Sequence, residues 1–318
     1  MKVTVLMSAY NEDIQLLRYA VESIENQTFD DYEYIIILDN PKNDELWCEL
    51  VTMAEKYKNI ILIKNERNIG LAESLNKGIA LSKGEYIARM DADDYSYPDR
   101  LKKEVEYLDK HGDISVVSTN RIVIDENGTI VSGVTKLPKT RSELCRQMEY
   151  ENVILHPSVM FRKDIIQKIG MYRNYPASQD ADLWLRLLDA NYNIGFIDEP
   201  LMKYRVNSKS ITVGSPLKQW ICGKHIQRMH KERKNSGTDS YCEDQLLKYL
   251  EDNGVYDKRC AEKFKKGKDA FFSFRKLLKQ KKILNCVPCF FQAFFSHKEM
   301  PSVIFRTFAY QVIIRIGR

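Results

Sequence analysis

Three carboxylates fall within four residues in Arg89-Met-Asp91-Ala-Asp93-Asp94. Acids this close repel one another unless a cation or a ligand's donors compensate. A hard divalent ion, Mn2+ or Mg2+, would do so through carboxylate oxygens, with water and phosphate completing its shell. A solvated acidic turn ahead of the helix that Pro98 opens would have the same composition. Other acidic-loop chemistries fit less well. A helix–loop–helix calcium site needs glycine at its sixth position, where Ser96 stands. Neither GxxxxGK[ST] nor GxGxxG follows a strand, because Gly70, Gly78 and Gly84 have neither spacing. Cys286-Val-Pro-Cys289 has redox spacing, but no second CxxC or HxxxH accompanies it. It reads as two small hydrophobes in an apolar stretch.

The elements that must position the acids show in the hydrophobic periodicity. Val3–Ser8 is a short apolar run, and Asp13–Asn26 carries Ile14, Leu17, Val21 and Ile24 at helical spacing. Tyr34–Leu38 is the continuous run of a strand covered on both faces. A helix near Glu45–Tyr57, a strand Ile60–Lys64, a helix Leu71–Leu81 and a strand Glu85–Arg89 follow. Pro98 then leads into a helix Asp99–Lys110, and Ile114–Ser118 returns to strand. Such alternation predicts βαβ units and a mostly parallel sheet, whose ligands bind beyond the carboxyl ends of the strands. Four polar loops occupy that edge: Ala9–Asn11, Asp39–Asn40, Asn65–Gly70 and Asp91–Asp94.

After residue 120 the rhythm changes. Arg121–Ile124 and Thr129–Ser132 flank a hairpin turn at Asp125-Glu-Asn-Gly128. Helix, strand and helix run to about Asn191, and short strands are expected at Ile194–Ile197 and Leu201–Arg205. From Ser215 the pattern is helical and basic. The expected division is an α/β domain over 1–214, in halves 1–120 and 121–214, and a helical region over 215–318.

Composition bounds the classes. With 318 residues, 44% hydrophobic and 29% charged, the chain can bury a sizeable core, which excludes wholesale disorder. Its seven cysteines are odd in number and scattered, which is not a disulfide framework. No apolar run reaches the ~18 residues of a membrane span, and the chain opens on a strand. The expectation is a cytoplasmic protein, peripheral on the inner membrane face. The net charge of +5 is unevenly spread: residues 215–318 hold 22 Lys and Arg against 10 acids, whereas residues 1–214 are net −7.

Residues 3–120, and more loosely 121–212, resemble the inverting glycosyltransferases of family 2, with their nucleotide-sugar-binding GT-A fold. The matching pieces are Ser8-Ala-Tyr-Asn11, Asp39, Asn68-Ile-Gly70-Leu-Ala-Glu-Ser-Leu-Asn-Lys-Gly78 and Gly84-Glu-Tyr-Ile-Ala-Arg-Met-Asp91-Ala-Asp93-Asp94. Further along come His156-Pro-Ser-Val-Met-Phe-Arg162, Gln179-Asp-Ala-Asp-Leu-Trp-Leu-Arg186 and Tyr204-Arg205. Each is weak alone; their order and spacing over about 200 residues make the match specific.

The resemblance implies roles. Asp39 would accept the imide N–H of uracil, where its plain alternative is an N-cap for the next helix. Ala9, Tyr10 and Asn11 would line the nucleotide cleft, and Arg67 and Asn68 would approach the ribose or diphosphate, although an exposed loop arginine fits equally. Asp91 would face the ribose, and Asp93 would hold Mn2+ or Mg2+ against both phosphates. Asp180 would be the base that deprotonates the acceptor, its alternative being dipole stabilisation in a first helical turn. Trp184 would border the acceptor.

Three departures stand out. The second strand runs into Asp39-Asn40-Pro41-Lys42 rather than Asp-Asp-Gly-Ser, the usual Glu-Asp pair is Gln179-Asp180, and no histidine follows in Tyr204-Arg205-Val206-Asn207. Thymine presents the same imide as uracil, so both bases stay open. His156 is a substitute ligand or a partly buried, hydrogen-bonded histidine.

The basic region places aromatics beside cations in Phe271-Phe-Ser-Phe-Arg-Lys-Leu-Leu-Lys-Gln-Lys-Lys282, with apolar Val287–Phe295 and Val303–Ile316 behind. This suits helices in the interface of an anionic membrane, or a subdomain with solvated lysines. Nucleic acid is not an expected partner, because no binding module is present. The expected activity is transfer of a hexose or N-acetylhexosamine from a nucleotide-sugar donor to a glycan or lipid-linked glycan acceptor. A sugar nucleotidyltransferase and a catalytically degenerate membrane adaptor are the alternatives.

Overall fold

The computed structural model describes residues 1–206 and 214–316. The chain forms two compact units, Met1–Arg141 with Val153–Asn207, and Ser142–Asn152 with Ser208–Arg318.

The first unit is built on a nine-stranded sheet. Its leading half alternates β1 (Val3–Ala9), α1 (Ile14–Glu25), β2 (Tyr32–Leu38), α2 (Asp44–Lys56), β3 (Ile60–Lys64), α3 (Leu71–Leu81) and β4 (Tyr86–Asp91). β3, β2, β1 and β4 lie side by side in that order, all parallel. All seven residues of β2 are buried, as its unbroken apolar run requires. One face of the sheet, with Val3, Val5, Met7, Tyr34, Ile36 and Ala88, packs against Leu17, Val21 and Ile24 of α1 and Leu46 and Leu50 of α2. The opposite face meets α3, where Gly78 lies against Leu6 so closely that a Cβ would fall 2.2 Å from its Cδ1. Caps fix the helix starts: Asp13 accepts from the Gln15 and Leu16 N–H groups, and Asn43 from Leu46.

The trailing half adds β5 (Tyr95–Ser96), α4 (Arg100–Lys110), β6 (Ile114–Ile124), β7 (Ile130–Ser132), β8 (Val159–Arg162), α6 (Lys163–Lys168), α7 (Gln179–Asp189) and β9 (Asn193–Arg205), while α5 (Arg141–Met148), between β7 and β8 in the chain, belongs from Ser142 on to the second unit. β8 inserts antiparallel between β4 and β6, so the sheet is mixed beyond β4. β6 and β9 are each one long strand where the sequence reading has two. Their parallel pairing steps from Thr119↔Ile197 to Asn120↔Pro200, and the bulge at Asp198-Glu199 bridges the two apolar runs.

The second unit is helical: α8 (Pro216–Ser236), α9 (Glu243–Asp252), α10 (Lys258–Lys279), α11 (Ile283–Ser296) and α12 (Met300–Ile316). Ile221, Cys222, Ile226, Met229, Leu246, Leu250, Phe264 and Ala293 are buried. Segment 142–152 belongs here, 63 residues before the boundary expected at 214/215. Gln227 donates to the Met148 carbonyl at 2.9 Å, and Arg306 to that of Tyr150 at 2.7 Å.

Candidate active site

Parallel register brings the predicted loops into one row. Ala9 pairs with Leu38, Leu38 with Lys64, and Ser8 with Asp91, so β1, β2, β3 and β4 all end at the same level. The residues just beyond are Tyr10, Asp39, Asn65 and Ala92.

Asp39 is buried and accepts three hydrogen bonds. Its Oδ1 accepts from Asn65 Nδ2 at 2.8 Å and from the Ile69 N–H at 2.9 Å, and its Oδ2 accepts from the Gly70 N–H at 2.8 Å. A carboxylate with no donors of its own suits a loop whose N–H groups lie ahead of a helix. Asn65 in turn accepts from Lys77 Nζ at 2.9 Å and donates to Ser74 Oγ at 3.0 Å. The helix-cap alternative for Asp39 is displaced one helix along the chain: Asn43 caps α2, and Asp39 ties down the entry to α3. Gly70 takes φ +86 there, which glycine accepts without strain.

Asn11 Oδ1 accepts from Asn40 Nδ2 at 2.6 Å and Asn43 Nδ2 at 3.1 Å, joining the first two loops. Tyr10, Arg67 and Asn68 are exposed, whereas Ala9 is buried and offers its carbonyl to Asp39 N–H at 2.8 Å. Ala9 therefore shapes this edge through its backbone.

The acidic loop is partly internal. Asp94 is buried: its Oδ1 accepts the Arg205 N–H at 2.7 Å, and Arg205 Nε donates to the Asp93 carbonyl at 2.9 Å. These bonds stitch the loop to the end of β9. Asp91 pairs with the buried Arg89 guanidinium. Asp93 is half-buried; burial, then the charges of Asp91 and Glu12, push its carboxyl up to about 7. Burial and the charge of Asp91 also raise the Glu12 carboxyl, although the Tyr10 N–H donates to it at 2.6 Å. Glu12 is the acid the sequence reading misses. Its place in the loop after β1, next to the strand that ends in Asp91, is the signal that would have found it.

Among the described residues, no three His, Cys, Asp or Glu side chains are grouped to hold a metal ion alone. The donor set nonetheless suits Mg2+ or Mn2+, which bind through one or two carboxylates and complete their shell with water and phosphate. Burial, then the charges of Asp91 and Glu12, raise the Asp93 carboxyl, and the buried Oδ2 of Asp94 has no hydrogen-bond partner among the described residues. A bound cation would stabilise the ionised form of both.

Asp180 is half-buried in the first turn of α7. Its charge and that of Asp91 both act on the Tyr172 phenol, whose pKa rises chiefly from burial. Asp182 is buried and paired with Arg186 at 2.8 Å and Arg173 at 3.5 Å. Leu183, Leu185, Leu187 and Leu188 are buried, as the helix pattern predicts, but so is Trp184. Trp184, expected to border the acceptor, packs inside, with its ring edgewise to the His156 imidazole at 6.2 Å. His156 is partly buried and hydrogen-bonded: its Nε2 lies 2.9 Å from the Tyr172 hydroxyl, and burial followed by the Arg89 charge holds its pKa well below 6.5. Asn207, where the missing histidine was noted, lies outside the described residues.

A parallel sheet with an acidic loop at its carboxyl edge, continued by a mixed half and helices, is the frame of a GT-A glycosyltransferase. The solved structure of S. aureus TarS 1–349 in complex with UDP-GlcNAc shares it, with a TM-score of 0.59, 18% identity, and 92% of this chain and 81% of that one covered. The chain belongs to glycosyl transferase family 2, whose model matches residues 4–170. It is 35% identical to an uncharacterized glycosyltransferase of Methanocaldococcus jannaschii over 73% of this chain and 80% of that protein. It is 33% identical to the O-antigen biosynthesis glycosyltransferase WbnJ of Escherichia coli over 71% and 87%.

Proposed function

We propose that this glycosyltransferase moves a hexose or N-acetylhexosamine from a UDP-sugar to a sugar hydroxyl of a lipid-linked oligosaccharide or polysaccharide precursor, with inversion. The observation that carries the reading is the row at the carboxyl edge, where Tyr10, Asn11 and the Asp39-anchored loop with Arg67 and Asn68 flank the acids Glu12, Asp91 and Asp93. The TarS complex with UDP-GlcNAc supports the choice of donor. The O-antigen biosynthesis relative supports a role in glycan assembly.

In this reading the exposed Tyr10 ring stacks on the base. The base's imide N–H bonds to the remaining lone pair of Asp39 Oδ2, and Arg67 and Asn68 approach the diphosphate. Asp91 faces the ribose. Asp93, with Glu12 beside it, would hold Mn2+ or Mg2+, which offsets the charge gained by the departing diphosphate. Asp180 accepts the proton of the acceptor hydroxyl as that oxygen attacks the anomeric carbon from the face opposite the diphosphate. Its neighbour Gln179 is neutral, so Asp180 works without a second carboxylate next to it in the chain.

The test is transfer with UDP-, TDP- and GDP-sugars in the presence of Mn2+, with the product anomer read by proton NMR. A UDP-sugar should react, and its anomeric configuration should invert. Retention would contradict the base assigned to Asp180, and nucleotide exchange onto sugar phosphate would indicate a nucleotidyltransferase.

A further inference from the structure

The second unit carries a surface that the transfer reaction does not use. α11 contains no charged residue over its fourteen positions, Ile283–Ser296. Cys286 and Ala293 face inward, and Phe274 of α10 packs on Phe290 at 5.3 Å. The opposite side is bare: Leu284 is 89% exposed, Phe291 55% and Phe295 75%, with Val287 between them. These positions recur at three- and four-residue intervals, so they share one helix face. Phe305, Phe308 and Val312 repeat the pattern on α12, and Phe272 adds a ring on α10.

Charge around this face is mostly positive. Arg275, Lys276, Lys279, Lys281 and Lys282 lead into α11, and Lys298 follows it. From residue 270 to 316 the single acid is Glu299, which is buried and bonded to Lys224 at 2.9 Å and Trp220 at 2.8 Å. Outside this stretch, the exposed Asp257 lies near Phe295 and Lys298, and Glu151 interacts with Arg275, so the cations that lead into α11 at Lys279, Lys281 and Lys282 form the core of the rim. A fourteen-residue apolar helix is too short to cross a bilayer, and no helix among the described residues is long and apolar enough to do so. Apolar side chains beside a cationic rim suit the boundary between acyl chains and anionic headgroups.

We propose that α11 is a monotopic membrane anchor. Leu284, Val287, Phe291 and Phe295 insert among acyl chains while Lys279, Lys281, Lys282 and Lys298 bind anionic headgroups. The proposal deepens the reading of a lipid-linked acceptor and rests on it for its purpose, although the binding itself is measurable alone. A second copy seated face to face on this surface would set these lysines against one another, since residues 270–316 carry no exposed acid.

Sedimentation of the full chain with vesicles tests it, using phosphatidylcholine alone and phosphatidylcholine mixed with phosphatidylglycerol. The chain should bind the anionic vesicles, more weakly as salt rises, and the neutral ones poorly. Leu284→Glu with Phe291→Glu should weaken binding about tenfold or more, as should Lys279→Glu with Lys282→Glu. All four positions are exposed, so circular dichroism and UDP-sugar turnover on a soluble acceptor should be unchanged. Turnover without vesicle binding would overturn the anchor and leave the transferase; vesicle binding without turnover would do the reverse. Equal binding to both vesicles would overturn the cationic part. A concentration-dependent dimer that Phe291→Glu dissolves would assign the face to a second copy instead.

Discussion

Asp182 and Arg186, one turn apart on α7, form a buried ion pair at 2.8 Å, and Arg173 approaches the same carboxylate at 3.5 Å. That pairing separates the two aspartates of Asp180-Ala-Asp182. Asp182 is committed to the fold, whereas Asp180, two residues earlier, lies on a different side of the helix.

The consequence is a contrast between two substitutions. Asp180→Asn should lower kcat by about 10²–10⁴, the usual loss when a general base is removed, with the melting temperature unchanged. Asp182→Asn should cost about 3 kcal/mol of stability by leaving buried guanidinium charge uncompensated. Steady-state kinetics and thermal melts of both variants check this. Equal losses of kcat without destabilisation would remove the distinction.

Asp39→Asn should act on both levels. The amide keeps one acceptor oxygen for Ile69 or Gly70 and sets an N–H2 against the other donor. Losing a hydrogen bond to a charged group costs about 2 kcal/mol. The urea midpoint should fall accordingly, and UDP affinity should fall with it because the Asn65–Gly70 loop is released. A variant of unchanged midpoint would mean that the three bonds to Asp39 are not holding that loop.

His156 gives stability a pH dependence of defined sign. The folded state holds its imidazole neutral, well below the ordinary pKa of 6.5, through burial and the Arg89 charge. The unfolded chain takes up a proton near 6.5, so this contribution is complete above that pH and is lost as pH falls through and below it. The slope approaches about 1.4 kcal/mol per pH unit for one proton. His156→Gln should flatten the acid side of the stability profile in urea titrations. A variant as acid-sensitive as the native chain would show that other groups set the slope.

Gly84 tests the close approach of β1 to the start of β4. A Cβ there would lie 2.4 Å from the Thr4 backbone nitrogen, and Thr4 Oγ1 also accepts the Gly84 N–H at 2.9 Å. Gly84→Ala should cost about 1–3 kcal/mol as backbone is forced apart. Differential scanning calorimetry reads it directly, and an unshifted melt would contradict the packing.

The leading half of the fold is legible because local periodicity and caps determine it. β1 to α4 fall within a few residues of their expected bounds, and Ile14, Leu17, Val21 and Ile24 do face the sheet or its edge. Long-range pairing is not written locally. Nothing in Val159–Arg162 announces that β8 runs antiparallel between β4 and β6. The charged pair Asp198-Glu199 breaks the apolar pattern of a strand that continues through a bulge. Segment 142–152 joins the helical unit through bonds to residues some 80 and 156 positions away, including Gln227 and Arg306. At the site, residue types and order identify the acidic loop, but not that Asp39 accepts hydrogen bonds from Asn65, Ile69 and Gly70. Trp184 is expected to border the acceptor by its type and place, yet it lies among the buried Leu183, Leu185, Leu187 and Leu188.

The most direct measurement is the melting temperature of the chain with UDP, TDP, GDP and CMP, each with and without Mn2+, in the native protein and in Asp93→Asn. A ligand at 100 times its Kd stabilises by about 2.7 kcal/mol, a rise of several degrees. UDP should raise the melting temperature only with Mn2+, and Asp93→Asn should abolish that rise. A TDP or GDP preference would keep the carboxyl-edge site and change its base. No rise with any nucleotide would contradict the nucleotide-sugar site and leave a glycosyltransferase fold without the chemistry assigned to it.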